Sequence, residues 1–337
     1  MSKLHLASLL SLLVLPPVGA AESPSRFAFT EPHMGTRFKI IVYAPDEATA
    51  TKAAKAAFER IAELDGIMSD YRPASELTQL CQKAGGEPVR VSNDLFYVLS
   101  KAQQVAERSD GAFDVTVGPV VRLWRVARKT RRMPDSAKLK AALDLVSYKN
   151  VKLDAKAQTV QLLKPGMQLD LGGIAKGYSA DEALKVLEKH GIKSALVAAG
   201  GDIAVSDAPP DAAGWTIAIA PLEDPEGKPK RSLLLMNAAV STSGDTEQYV
   251  EIAGTRFSHI VDPKTGLGLV GRQSVTVTAR RGIDSDSLTK VVSVWGPKRG
   301  LEFIEKTPGT AAFVVRKTDN GEETFQTKEF AKLLKPE

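Results

Sequence analysis

The chain has 337 residues, 43% of them hydrophobic and 25% charged. That composition excludes a fibre or an intrinsically disordered protein and suits one large domain or two intimate ones. Its 45 basic residues stand against 40 acidic ones, and the formal net charge of +5 is too small and dispersed to argue for a nucleic-acid partner.

Taken from the N-terminus, Lys3 precedes an apolar run from Leu6 to Leu15. Pro16 and Pro17 break it, and Val18-Gly19-Ala20 places small residues ahead of Ala21. This reads as a secretory signal over residues 1–20. A single mature domain over residues 21–337 is then expected to be exported to a bacterial periplasm, soluble, and at most peripherally associated with a membrane. The one cysteine, Cys81, allows no intrachain disulfide, and any metal site would have to use oxygen or imidazole ligands.

Arg26 to Ala44 alternates as two strands around Pro32-His33-Met34-Gly35. Asp46 caps an alanine-rich helix to Ile67, and Ser69 to Leu80 is a polar, Pro-broken loop leading to a short helix. Ser92 caps a helix that runs to Arg108 and is stopped by Asp110-Gly111. The densest basic stretch, Arg122 to Arg132, reads as a solvated helix face and loop, because only Trp124 interrupts the charges with an aromatic ring. Asp135 caps a helix from about Ala137 to Val146, and Val151–Leu153 with Thr159–Leu163 reads as a hairpin.

Leu169-Asp170-Leu171 reads as the end of a strand, Gly172-Gly173 as a turn, and Ala175 to His190 as a helix stopped by Gly191. A glycine pair at a helix N-terminus either permits tight packing or lets an anion reach the free N–H groups. Further strands are expected at Trp215–Ala220, Ser232–Met236, Tyr249–Ile252, Arg256–Val261, Ser274–Thr278 and Ala311–Val315. Helices are expected at Ser287–Trp295 and around Lys298–Glu305, with exposed loops at Asp207–Gly214 and Glu223–Lys230. Helices dominate the first half and strands the second, which predicts an α+β fold: a mixed, largely antiparallel sheet with packed helices.

No Cys/His zinc spacing, Walker loop, nucleophile elbow or dinucleotide fingerprint occurs. Polar residues gather instead beside turn signals: Tyr71 with Arg72, Asp114, Asp170 with Lys176, His259 with Asp262, and Asp284 with Asp286. Asp284 and Asp286 are either helix caps or oxygen ligands for a hard cation. His259, before a VDPKTG turn, stands at a loop mouth where proton transfer is possible.

HMGTRF, YRPASEL, GAFDVTVGPVVRLW, LDLGGIAKGYSAD, AAGGDI, STSGDTEQY, FSHIVDPKTG and SDSLTKVVSVWG occur in that order between about Pro32 and Val315. The set resembles the ApbE-type flavin transferases, which move FMN from FAD onto a Ser or Thr of an acceptor flavoprotein. The resemblance implies an ApbE-like, T-fold-related architecture, FAD as substrate, AMP as product, and Mg²⁺. It places Met34, Tyr71, Ala112, Phe113, Asp114, Asp170, Lys176, His259 and Ile260 at the FAD site. The Gly173 carbonyl and the Asp286 carboxylate match Mg²⁺ ligands, and His259 and Asp286 are the expected catalytic residues. An FAD pyrophosphatase yielding FMN and AMP, and a flavin-binding protein without turnover, are the alternatives. One position departs from the pattern: members commonly carry Thr four residues after the Asp, where this chain has Lys290. Thr289 is one place early, about 100° around a helix, and is expected to miss the site.

Overall fold

The computed structural model describes residues 23–222, 231–244 and 249–336. The signal segment, the Glu223–Lys230 loop and Asp245 to Gln248 of the STSGDTEQY stretch lie outside the described residues.

The chain opens with β1 (Ser25–His33) and β2 (Thr36–Ala44). Met34 (φ 49°) and Gly35 (φ 73°) join them in a two-residue turn whose two positive φ values match the twist of the strands. α1 (Glu47–Met68) is capped by Asp46, whose Oδ1 accepts the Thr49 N–H at 2.7 Å. Its Ala50, Ala53, Ala54, Ala57, Phe58, Ile61 and Leu64 recur at helical spacing and are buried. Each of its larger apolar side chains contributes about 1.5–3 kcal/mol by leaving water.

α2 (Glu76–Gln82), β3 (Val89–Arg90) and α3 (Asn93–Arg108) follow, capped at the helices by Ser75 and Ser92. Pro119 opens α4 (Gly118–Thr130), where its missing N–H is harmless. α5 (Ser136–Leu143) and the hairpin of β4 (Val151–Asp154) and β5 (Thr159–Leu162) lead to α6 (Ala175–Lys189). Then come β6 (Ala195–Ala199), β7 (Asp202–Val205), β8 (Trp215–Ile219), β9 (Arg231–Leu235), β10 (Ala238–Gly244), β11 (Tyr249–Ile252), β12 (Thr255–Val261), β13 (Gly268–Val270) and β14 (Gln273–Ala279). α7 (Gly282–Glu305), β15 (Ala311–Thr318), β16 (Gly321–Gln326) and α8 (Lys328–Lys332) close the chain.

An eight-stranded sheet in the order β1-β2-β6-β7-β10-β14-β15-β16 forms the centre, and every ladder among the described residues is antiparallel. The α+β expectation holds. Period-two alternation decides the two faces. Phe38, Ile40 and Val42 of β2 meet α1 and α6 on one side, whereas Ile41 joins Trp215, Ile217, Phe313 and Phe330 on the other, under the β8–β9 hairpin and α8. A second core unites α2, α3, β5 and residues 167–178 with Ile283 and Val291 of α7. A third seats α4 and α5 on the small β11-β12-β13 sheet.

Three local expectations change. Leu169 to Leu171 joins no sheet; the Asp170 N–H instead donates to the Val115 carbonyl at 2.8 Å, so the segment is an extended tether between two cores. The basic stretch is a helix and loop as read, but Arg125 of α4 is not solvated, its side chain 20% exposed and paired with Asp70 and Asp170. α7 begins at Gly282 rather than Ser287, because its N-terminal donors are met from outside: Asp181 of α6 accepts Gly282 N–H at 2.6 Å and Ile283 N–H at 3.1 Å. The break read between Trp295 and Lys298 is real, with Gly296 at φ 73° ahead of Pro297.

Candidate active site

α6 and α7 approach at two glycines. A Cβ on Gly177 would lie 2.0 Å from the Gly282 carbonyl oxygen, and one on Gly282 would lie 2.4 Å from that of Gly177. This contact lets the helices exchange caps. Ile174, at the α6 N-terminus, offers no side-chain cap; Asp286 of α7 supplies it, its Oδ2 accepting the Gly177 N–H at 3.1 Å.

Beside this junction opens a cavity of about 890 Å³, at the upper end of the roughly 300–1,000 Å³ usual for ligand sites. Met34, Tyr71, Ala112, Phe113, Asp114, Asp170, Gly173, Lys176, His259 and Ile260 all border it, as do Asp202, Arg125 and Lys290. Asp286 is fully buried behind this wall.

The lining residues are brought together from several elements. Met34 sits at the β1–β2 turn with a left-handed backbone, an arrangement that costs a non-glycine residue about 1–2 kcal/mol; its Sδ lies 3.5 Å from the Ser179 hydroxyl. Tyr71 is 73% exposed at the rim, and the Arg125 guanidinium carbon lies 4.1 Å from its ring centroid. Arg125 also bridges Asp70 at 2.5 Å and Asp170 at 2.9 Å. Burial raises the Asp170 carboxyl and Asp70 adds to this, with Arg125 opposing. Asp170 Oδ1 accepts the Gly172 N–H at 2.8 Å, which shapes the glycine turn.

Asp114 has both oxygens committed internally. Oδ1 accepts the Thr116 N–H and hydroxyl at 2.8 and 2.7 Å, and Oδ2 accepts the Tyr148 N–H at 2.7 Å. His259 comes from β12, whose following loop is pinned to α4 by Trp124 Nε1–H donating to the Gly266 carbonyl at 2.8 Å. The Trp124 and Phe257 rings pack 5.1 Å apart.

On the opposite wall, Lys176 forms an ion pair with Asp202. Burial alone would depress the Lys176 ammonium, but Asp202 and Asp286 more than offset it and hold it above its ordinary range. Burial likewise works against the Asp202 carboxylate, yet Lys176 and Lys290 keep it below the usual carboxylate range. Asp202 and Arg125 were not among the sequence-predicted site residues. Asp202 carried a signal: a carboxylate beginning a strand of Ile203, Ala204 and Val205 needs a buried partner.

The Mg²⁺ implied by the sequence pattern would require the Gly173 carbonyl and Asp286, and the residues present do not fit it. Lys290 Nζ lies 2.5 Å from Asp286 Oδ1, the other carboxylate oxygen is held by Gly177, and the Lys290 stem passes so close that a Cβ on Gly173 would lie 3.2 Å from its Cε. Thr289 misses the site as expected from its position: its hydroxyl donates to the Asp286 carbonyl at 2.7 Å and contacts Ser243 Oγ at 2.8 Å. No group of three or more His, Cys, Asp or Glu residues suited to a metal occurs among the described residues.

The antiparallel fold and the cavity belong to a recognisable class. The ApbE family model matches residues 34–314. An FAD:protein FMN transferase of Treponema pallidum is 34% identical over 300 residues, covering 84% of this chain and 82% of that one. Its counterpart in Vibrio cholerae is 30% identical, with 98% of each chain covered. The apo crystal structure of the Pseudomonas stutzeri flavinyl transferase ApbE superposes with a TM-score of 0.81 at 29% identity, over 92% of this chain and 97% of that one. The chain belongs to the ApbE family.

Proposed function

We propose that this protein is an FAD:protein FMN transferase, moving FMN from FAD to a Ser or Thr hydroxyl of an exported acceptor protein. The observation that carries the reading is the convergence of Met34, Tyr71, Gly173 with Lys176, and His259, from four separate parts of the chain, on one cavity. Kinship with the transferases of Treponema and Vibrio supports it.

The isoalloxazine ring is assigned to the mouth, against Tyr71 and Met34. The diphosphate is assigned to the Gly172-Gly173 turn and Lys176, where the positive end of the α6 dipole and an ammonium stabilise negative charge. The acceptor oxygen bonds to the FMN-side phosphorus, and the bond from that phosphorus to the bridging oxygen breaks. AMP leaves with the electron pair, and His259 accepts the hydroxyl proton. The carboxylates of Asp114 and Asp170 act through positioning, since each is already bonded within the protein. Mg²⁺ would meet Lys290 at the position implied for it. The exported setting belongs to the same reading, resting on the Lys3 to Ala20 segment.

Incubation of the mature protein with FAD and an acceptor domain, followed by mass spectrometry, tests the reading. Covalent FMN on a Ser or Thr supports it, and its absence in all metal conditions overturns it.

A further inference from the structure

The charged cluster behind the glycine turn is layered. Asp202 and Asp286 are almost wholly buried, with side chains 3% and 0% exposed, while Lys176 and Lys290 remain 26% and 16% exposed and both border the cavity. The Asp286 carboxylate therefore lies beneath the cavity wall, Asp202 reaches the cavity with almost none of its side chain exposed, and the two lysines are the more exposed members. The cluster is formally neutral, yet the face it turns to a ligand is cationic.

That layering has a chemical consequence. A hard cation needs carboxylate or carbonyl oxygens facing it, and here an ammonium stands over Asp286 and a lysine stem over Gly173. A phosphate needs the reverse: fixed positive charge and N–H donors, with the flexible lysines pre-ordered by their carboxylates so that little side-chain freedom is left to lose on binding. Asp286 also fixes the frame, because its second oxygen holds Gly177 at the α6 N-terminus. Lys290 is thereby set against Gly173, in the turn that would receive the diphosphate.

The geometry points to Lys290 as a built-in cationic countercharge for a diphosphate, so that this protein binds and turns over its dinucleotide substrate without a divalent metal ion. The substrate part rests on the FMN-transfer reading. The anion-site part does not, since inorganic pyrophosphate should bind on its own.

The test uses the mature protein, inorganic pyrophosphate, FAD and Mn²⁺. In excess EDTA, the wild type should bind pyrophosphate, seen by calorimetry, and should bind FAD, seen by flavin fluorescence, as well as it does in Mg²⁺. Free Mn²⁺ followed by electron paramagnetic resonance should show no stoichiometric site. Lys290→Thr should weaken metal-free pyrophosphate binding by about tenfold or more, the loss of one charge-assisted contact. It should also acquire a Mn²⁺ site, because Asp286 Oδ1 and the Gly173 carbonyl are uncovered and a hydroxyl is added. Lys290→Arg should retain metal-free binding.

Stoichiometric Mn²⁺ on the wild type that disappears in Asp286→Asn would overturn the inference. So would pyrophosphate binding that requires Mg²⁺, or no pyrophosphate binding under any condition. The two pyrophosphate outcomes are read on the wild type and stand even if a variant misfolds. Metal-free pyrophosphate binding without any FAD binding would instead leave the countercharge in place and sink the transfer reading.

Discussion

Asp181 and Asp286 cap each other's helices: Asp181 of α6 accepts the Gly282 and Ile283 N–H groups of α7, and Asp286 of α7 accepts the Gly177 N–H of α6. Two helix N-termini are satisfied by one reciprocal exchange, at a contact only glycine allows. The wall of the candidate site is built on this junction.

The exchange has a pH signature. Burial pushes the Asp181 carboxyl up to about 6 from an ordinary 3.8, against the opposing effect of the N–H bonds. Between those values the folded chain keeps a proton that the unfolded chain has released. The contribution of Asp181 to stability is therefore full below about pH 4 and is lost as pH rises through about 6, a change of about 3 kcal/mol. Other carboxylates contribute with the opposite sign, so the quantity to follow is the difference in unfolding free energy between the wild type and Asp181→Asn. In urea titrations across this range that difference should fall with rising pH; a flat difference would contradict the assignment.

Gly177→Ala should destabilise the protein by about 1–3 kcal/mol, because its Cβ meets the backbone of Gly282 and must push the helices apart. Gly66→Ala is the matched control. Gly66 lies within α1 with nothing near its Cβ position, and alanine there should be neutral or stabilising by up to about 1 kcal/mol. Thermal unfolding of the two variants, side by side, separates close packing from a general effect of helix glycines.

Tyr71→Ala should leave the unfolding midpoint unchanged, since the ring is mostly exposed. FAD affinity should fall by up to about tenfold, the scale of one aromatic stacking contact. Equal FAD affinity in the variant would remove Tyr71 from the flavin site.

Asp114→Ala should act in the opposite way. It strips the acceptor from the Thr116 and Tyr148 N–H groups in a buried setting, and the predicted loss is about 2–4 kcal/mol of stability. FAD affinity of the remaining folded protein should stay near that of the wild type. Calorimetry with and without FAD checks both halves.

Sequence reading reached furthest where the signal was local. The caps Asp46, Ser92 and Asp135 announce their helices because the bonds span three residues, and the glycines of LDLGGIAKGYSAD mark a turn on their own. Leu169 to Leu171 was legible as extended backbone, but nothing local shows that the Leu169 and Asp170 N–H groups go to Cys81 Sγ and the Val115 carbonyl rather than to a neighbouring strand. The early start of α7 was hidden for the same reason, as its cap comes from about 100 residues away. Lys290 was visible as a departure from the family pattern. Its pairing with Asp286 is an i,i+4 contact within reach of sequence reasoning, whereas the layering with Lys176 and Asp202 needed the packing of α6, β7 and α7.

The most direct test of the transfer account is to count AMP against covalent flavin. With FAD and an acceptor domain, the account predicts one AMP released for each FMN attached to a Ser or Thr, and no AMP above background when the acceptor is withheld. Steady AMP release without acceptor would make the protein a hydrolase of FAD, and FAD binding with neither product would make it a binder; either result contradicts transfer as its function.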